Sequence, residues 1–215
     1  MNTFLNVEQL SLSYASKAGT VSVLKHYSLK LAAGETVCIL GPSGCGKSSL
    51  LRAIAGFETI DAGTITLNGS VLSSAAQTLG PEHRRVGFMF QDYALFPHLD
   101  VAENIGFGLT KLSRQARQAQ IQSMLELVDL VAYAKRFPHE LSGGQQQRAA
   151  LARALASKPE ILLLDEPFSN LDADTRERLI IELRIILKQT GVTTLMVTHS
   201  HSEALALGDR IERMG

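Results

Sequence analysis

Cysteine is scarce in this sequence: Cys38 and Cys45 are the only two among 215 residues. That is too few for a disulfide framework, and a reducing, cytoplasmic setting is expected. Long hydrophobic runs are missing as well. No apolar stretch approaches the ~18 residues that a membrane-spanning helix needs, and no leader pattern opens the chain. Nor is there an excess of charge of either sign. Lys plus Arg total 21 and Asp plus Glu total 21, so there is no global basic field of the kind that draws nucleic acid, and no nucleic-acid partner is expected. Repeats, low-complexity segments and linker-like stretches are also absent. What remains is an ordinary globular composition, 45% hydrophobic and 20% charged, at a length that suits one sizeable core or one core with an attached subdomain.

Against that background residues 41–49, reading GPSGCGKSS, stand out. Gly41, Pro42, Ser43, Gly44, Cys45, Gly46, Lys47, Ser48 and Ser49 fit the G-x-x-x-x-G-K-[ST] pattern of a phosphate-binding loop. The run before them, Glu35 to Leu40, is apolar and suits a buried parallel strand. Glycines and a proline then stop the strand and leave backbone N–H groups free to point inward. A helix beginning at Lys47 adds its N-terminus, so the two together form an anion cradle. Lys47 is expected to reach the β- and γ-phosphates of a nucleotide, and the Ser48 hydroxyl to ligate Mg²⁺. A thiol at Cys45 is expected to react with alkylating reagents and to be protected by nucleotide.

The rest of the chain supplies strand and helix signals in a definite order. Leu10, Leu12 and Tyr14 alternate with serines, and Val21/Val23 and Tyr27/Leu29/Leu31 do the same beyond a turn at Lys17-Ala18-Gly19, which predicts antiparallel strands. The helix from Lys47 is predicted to stop near Gly56. Asn68-Gly69 between Thr64–Leu67 and Val71 predicts a hairpin, and RRVGFMF (84–90) another strand. From Asp92 to Ser142 the character is helical, with Ile121, Met124, Leu125 and Val128 on one face. A helix from about 143 to 157 follows, then strand 161–164, a long helix from about 172 to 189, strand 193–198, a short helix from Ser200 and a final strand-like DRIERM. The fold expected is α/β, a parallel-sheet core with an N-terminal antiparallel β-subdomain and a helical insert.

Candidate chemistry gathers at strand ends. ILLLDEP (161–167) ends in two carboxylates. Asp165 is expected at the carboxyl end of a strand neighbouring the phosphate loop, holding Mg²⁺ directly or through water, and Glu166 is the candidate to polarise an attacking water. Gln91 and His199 each close an apolar strand and are candidates to sense a γ-phosphate, Gln91 also reaching Mg²⁺ or water. LSGGQQQR (141–148) is a second cradle: Ser142 is a good helix N-cap, and Gly143 and Gly144 remove side chains where a phosphate would approach. One nucleotide needs only one phosphate loop, so the second cradle needs its own explanation.

The ordered set of motifs supplies one. With the phosphate loop, Gln91, LSGGQ at 141–145, ILLLDEP, SNLD at 169–172 and His199, the chain resembles the nucleotide-binding subunit of an ATP-binding cassette (ABC) transporter over essentially its whole length. The resemblance implies a single nucleotide-binding domain over 1–215, with β-subdomain and core in 1–91 and 158–215 and a helical subdomain at about 92–157. It implies ATP and Mg²⁺ as ligands and a head-to-tail homodimer in which Ser142, Gly143, Gly144 and Gln145 act on the partner's nucleotide. It further implies that Asp172 couples the two sites and that Tyr14 stacks on adenine. Separate membrane permease subunits, and indirectly a solute-binding protein, follow from the importer type, with the chain held peripherally at the cytoplasmic face of the inner membrane. The segment 91–109 is similar to importer subunits for ferric iron, polyamines, sulfate and sugars, and GFE (56–58) with PEHRRVGFMFQDYALFPHL looks most like ferric-iron import. In that family this segment forms part of the groove for a cytoplasmic helix of the membrane subunit, with Tyr93, Leu95, Phe96 and Leu99 shared between that groove and the helical core. The longer importer subunits continue into a C-terminal regulatory domain. A soluble ABC-type ATPase acting on DNA or ribosomes is the alternative class, although such proteins typically carry long insertions, paired cassettes or basic surfaces. A phosphate-loop phosphotransferase leaves the LSGGQ segment unexplained.

Overall fold

The computed structural model describes residues 3–16 and 19–215, so Lys17 and Ala18 of the expected first turn lie outside the described residues. Strands β1 (Thr3–Ser16) and β2 (Gly19–Ala32) pair antiparallel, as the alternation predicts. The alternation is not strict. Leu5, Val7, Leu10 and Leu12 are all buried, and the three-residue step from Val7 to Leu10 is taken by a bulge at Gln9, whose φ is 48°. An extra residue is what lets a strand keep one face inward across an odd step. Strands β3 (Thr36–Leu40), β4 (Ala62–Leu67) and β5 (Ser70–Ser74) follow, the last two joined through Asn68 and Gly69 at φ 47° and 79°. Positive φ at both turn positions is the type I′ geometry that Asn-Gly favours. The antiparallel sheet runs β2-β1-β4-β5.

The parallel sheet adds β6 (Val86–Met89), β7 (Ile161–Asp165), β8 (Thr193–Thr198) and β9 (Arg210–Arg213), in the order β6-β7-β8-β3-β9. β7, which carries Asp165, is not paired with β3, because β8 lies between them. Helix α1 (Lys47–Ala55) packs across β7 and β8, and that crossing brings the two motifs together. Between β6 and β7 run α2 (Val101–Gly106), α3 (Arg114–Leu127) and α4 (Gly143–Ala156), which pack on one another. α5 (Ala173–Thr190) and α6 (His201–Leu207) complete the chain. Ile121, Leu125 and Val128 are buried and Met124 packs half-buried against the same core, as the periodicity predicts.

The sheet divides two hydrophobic cores. Val37, Ile39, Leu163 and Leu195 face α1 and the antiparallel sheet, while Cys38, Leu162, Leu164 and Met196 face the other helices. Burial pushes the Cys38 thiol up to about 12, so it is an inert core group. A fully buried arginine anchors the far end of α1. Arg84 donates to the carbonyls of Ala53, Ile54, Leu72 and Leu79 and to Ser73 Oγ, at 2.7–3.1 Å. It closes the last carbonyls of α1, where a cation is favoured by the helix dipole. Gly56, the left-handed cap of α1, must be glycine here: a Cβ would lie 2.5 Å from Arg84 Nε.

Candidate functional site

β3 ends at Leu40 and the chain turns at once into the glycine-rich loop. Gly46, at φ 101°, caps α1 without a side-chain acceptor, and no acidic residue stands in the first turn. The amides of that turn are therefore not answered by a local carboxylate, which suits an incoming anion. The loop is seated from below: Gly41 N–H donates to Thr198 O at 3.4 Å, and a Cβ on Gly41 would lie 2.2 Å from Met214 O. Lys47 is almost fully buried. Its Nζ donates to Gly41 O and Pro42 O at 2.9 and 2.8 Å and stands 3.8 Å from Glu166 Oε1. The ammonium is thus held over the mouth of the loop by neutral carbonyls and one carboxylate.

Ser48, one residue into α1, donates to Asp165 Oδ1 at 2.7 Å. Burial raises the pKa of the Asp165 carboxyl, with the Ser48 hydrogen bond and the charge of Arg52 acting in the opposite direction. A hydroxyl and a carboxylate in contact at a helix N-terminus are the hard oxygen donors that suit Mg²⁺. Among the described residues no group of three or more His, Cys, Asp and Glu side chains is placed to hold a metal ion. Glu166 follows in the left-handed region at φ 44°, a conformation that costs a non-glycine residue on the order of 1 kcal/mol. Its amide donates to Val197 O at 3.1 Å, and its Oε2 meets His199 Nδ1 at 3.1 Å. The bend turns its side chain toward Lys47 and His199.

A cavity of about 460 Å³ is lined by Ser43, Gly44, Lys47, Ser48, Gln91 and Glu166, among others. A second of about 420 Å³ adjoins it through Gln91 and takes in Arg52, Asp165 and Asn170. Gln91 is exposed between them, its carbonyl accepting from Asn170 Nδ2 at 2.9 Å. Tyr14 is half-buried and donates to Ser49 Oγ at 3.1 Å. It does not line the cavity, whereas Val23 does.

The LSGGQ segment lies elsewhere. None of Ser142, Gly143, Gly144 and Gln145 lines the Lys47 cavity. Ser142 caps α4 in a reciprocal box: Ser142 Oγ accepts from Gln145 N at 3.3 Å, and Gln145 Oε1 accepts from Ser142 N at 2.9 Å. Gly143 is exposed, but Gly144 is buried, and a Cβ there would come within 3.1 Å of Leu179 Cδ1 on α5. At Gly144 internal packing adds a second reason for a small residue, since the Leu179 side chain would have to give way to a Cβ there. Asp172 is the N-cap of α5, accepting from Thr175 N at 3.0 Å, a hydrogen bond that holds its carboxyl below the usual aspartate range.

Sequence reasoning passed over several groups. Asn104, on α2, is buried and grips the 96–100 bend through Phe96 N, Phe96 O, Leu99 O and Asp100 O. The capping box of Asp100 and Glu103 was the available signal for that helix start. Arg153 donates to Tyr93 O and Ala94 O and lies over the Phe96 ring. Tyr93 is core and Leu95 packs half-buried against it, while Phe96 stacks on Phe107 and lines an aromatic groove of about 420 Å³ with Phe57, Phe88 and Phe90.

This geometry, two carboxylates at the end of a parallel strand facing a glycine-rich loop and the lysine that opens α1, defines an α/β protein with a phosphate-loop site. The model of the ABC transporter family matches residues 24–169, and the chain belongs to that family. Over 197 residues it is 51% identical to the Fe(3+) ions import ATP-binding protein FbpC of Pseudomonas fluorescens, covering 91% of this chain and 55% of the relative. It is 50% identical to the spermidine/putrescine import ATP-binding protein PotA of Roseobacter denitrificans (91% and 53% covered). It is 48% identical to the sulfate/thiosulfate import ATP-binding protein CysA 2 of Chromobacterium violaceum (95% and 55% covered). The chain thus spans a little over half the length of these curated relatives. Among solved structures, the ATP-binding cassette MJ0796, a dimer in a post-hydrolysis state bound to ADP and Pi, superposes with a TM-score of 0.85 at 31% identity, covering 98% of this chain and 94% of that one.

Proposed function

We propose that this chain binds Mg·ATP, hydrolyses it, and thereby drives a membrane importer. The observation that carries the reading is a connected set of contacts at the loop: Lys47 stands beside Glu166, Glu166 meets His199, and Ser48 bonds Asp165, with Lys47, Ser48 and Glu166 lining one cavity. In this reading the loop amides of 41–48 and the N-terminus of α1 hold the phosphates, and Lys47 exchanges its loop carbonyls for phosphate oxygens. Ser48 and Asp165, with Gln91 beside them, would hold Mg²⁺, which would supply neutralisation of the phosphates' negative charge. Glu166 accepts a proton from, or orients, the attacking water, and His199, hydrogen-bonded to it, fixes its direction. Tyr14 stands beside the loop through Ser49 and packs against the adenine end.

The LSGGQ residues 142–145 lie away from their own chain's cavity, which supports their acting on the nucleotide of a second copy in a head-to-tail dimer, with Asp172 at the interface. The aromatic groove of Phe57, Phe88, Phe90, Phe96 and Phe107 suits an apolar helix from a membrane permease subunit. Exposed rings in a concavity are the common form of such a dock. Among the described residues no helix is long and apolar enough to cross a membrane; in this reading the permease subunits, and indirectly a solute-binding protein, are its partners. Identities of 51%, 50% and 48% to iron, polyamine and sulfate importers do not separate these solutes, and the site described touches nucleotide alone.

The test is Glu166→Gln. Turnover of Mg·ATP should fall by about 10²–10⁴-fold, the usual share of a positioned base, while ATP binding persists and an ATP-dependent dimer accumulates in size-exclusion chromatography. Undiminished hydrolysis by this variant would remove Glu166 from the chemistry.

A further inference from the structure

One buried carboxylate in the vicinity of the site takes no part in the mechanism above. Glu203, on α6, is 5% exposed. Its Oε2 accepts from Thr198 Oγ1 at 2.5 Å, and its Oε1 lies 3.9 Å from Arg176 Nε. Thr198 is the last residue of β8 and directly precedes His199. The same hydroxyl accepts from Ser200 N at 3.0 Å, on the other side of the histidine. Thr198 O in turn accepts from Gly41 N, and Val197 O from Glu166 N. The end of β8 therefore carries backbone contacts to the phosphate loop and to Glu166, and side-chain contacts that fix both flanks of His199. On its other side Glu203 faces Arg176 of α5, whose guanidinium donates to Leu171 O at 2.8 Å. Leu171 precedes Asp172 in the SNLD turn. Arg176 Nε is enclosed and makes no hydrogen bond of its own, so its nearest opposite charge is Glu203.

We propose that Glu203 is a positioning residue for hydrolysis. It sets the His199 flank through Thr198 and ties that flank to the SNLD turn through Arg176. A buried carboxylate of this kind is retained at a desolvation cost, and here its two oxygens are divided between the strand end that carries His199 and the arginine that holds the SNLD turn, whose Asn170 lines the second cavity. His199 is itself half-exposed, and its described side-chain contact is the one with Glu166. Its direction is therefore set by the backbone on either side of it, and Glu203 holds that backbone from beneath. Glu203 does not line the cavity, so it acts through His199 and the turn, not on the nucleotide.

The inference rests on the ATPase reading, and the experiment separates the two. Wild type, Glu203→Gln, Thr198→Val, His199→Ala and the two double variants with His199→Ala are compared in Mg·ATP hydrolysis, alongside the imidazole ¹⁵N shifts of His199. Glu203→Gln and Thr198→Val should each lower kcat about tenfold, as expected for a misplaced group near the reacting atoms, with KM for ATP changed less than about twofold. Neither should lower kcat further once His199 is alanine, and both should move the His199 ¹⁵N shifts. Thr198→Val keeps the shape of the side chain, so it decides the matter if the glutamine variant fails to fold. A kcat at the wild-type level, full additivity with His199→Ala, or unmoved His199 shifts would overturn the proposal. Absence of hydrolysis by wild type would instead overturn the ATPase reading, with the ¹⁵N shifts still testing the Glu203 link.

Discussion

Replacing Arg84 by methionine removes the guanidinium and keeps much of the stem's volume, so the loss is mainly of hydrogen bonds. Five acceptors now meet Arg84. Two of them keep another donor: Ala53 O also accepts from Gly56 N, and Leu72 O from Leu79 N. Ile54 O, Leu79 O and Ser73 Oγ each lose the bond that Arg84 gives them. Leaving a buried polar group unsatisfied costs about 1–3 kcal/mol, so three such groups put the loss at roughly 3–9 kcal/mol. Eliminating a buried cation returns part of this. Burial already lowers the Arg84 pKa to about 10, so the group is charged at neutral pH and its desolvation is real. A net loss of about 3 kcal/mol remains, equivalent to ~6–12 °C in Tm at this chain length. Thermal unfolding followed by far-ultraviolet circular dichroism would measure it. The reasoning also predicts coupling: Gly56→Ala, which places a Cβ 2.5 Å from Arg84 Nε, should cost less in the methionine background than in wild type. A Tm within about 2 °C of wild type, or no coupling with Gly56, would refute this account of how the end of α1 is held.

Two more predictions concern carboxylates. Asp165 has a raised pKa, so its contribution to stability is complete below the ordinary aspartate pKa and is lost as pH rises through the folded-state value. Asp165→Asn, which keeps the acceptor for Ser48, should therefore raise Tm at neutral pH without Mg²⁺, with the gain fading in acid, and should lose the Mg·ATP-dependent rise in Tm that wild type gives in a thermal-shift assay. Asp172 has the opposite sign. Its carboxyl is held low by the Thr175 amide, so its stabilisation is present above the ordinary aspartate pKa and lost as pH falls through the folded-state value. Asp172→Ala should lower Tm at neutral pH, and the gap should close in acid; a gap that persists there would assign the loss to something other than the charged cap.

Much of the fold was legible because each element carried its own punctuation. Gly56 stops α1, Asn68-Gly69 turns the hairpin, Ser142 starts α4, and the aliphatic runs at 161–164 and 193–198 fall within the central strands. Strand order was not legible in the same way. Nothing in ILLLD says that β8 separates it from β3, because hydrophobic runs fix burial and not neighbours. Arg84 was hidden for a related reason: RRVGFMF reads as one strand-like run with nothing to distinguish its two arginines, yet Arg84 is buried and Arg85 is exposed on an ion pair with Glu160. Gly144 shows the converse, since a residue explained by one role in the motif also answers to α5 packing. At the site itself, Lys47, Ser48, Asp165, Glu166 and His199 come together as read. Tyr14 lies one contact away through Ser49, and Glu203 was missed because a single glutamate in a short helix has no pattern around it.

The alternating division of the parallel sheet has a practical meaning for anyone placing probes in this molecule. In β7, Leu162 and Leu163 are adjacent in sequence yet belong to opposite cores, and the same holds for Leu195 and Met196 in β8. Labels on Leu162 and Met196 would therefore register a re-seating of the helical half, while labels on Leu163 and Leu195 would register changes around the phosphate helix. Neighbouring methyl groups along one strand thus form a paired readout, in which each serves as the internal control for the other.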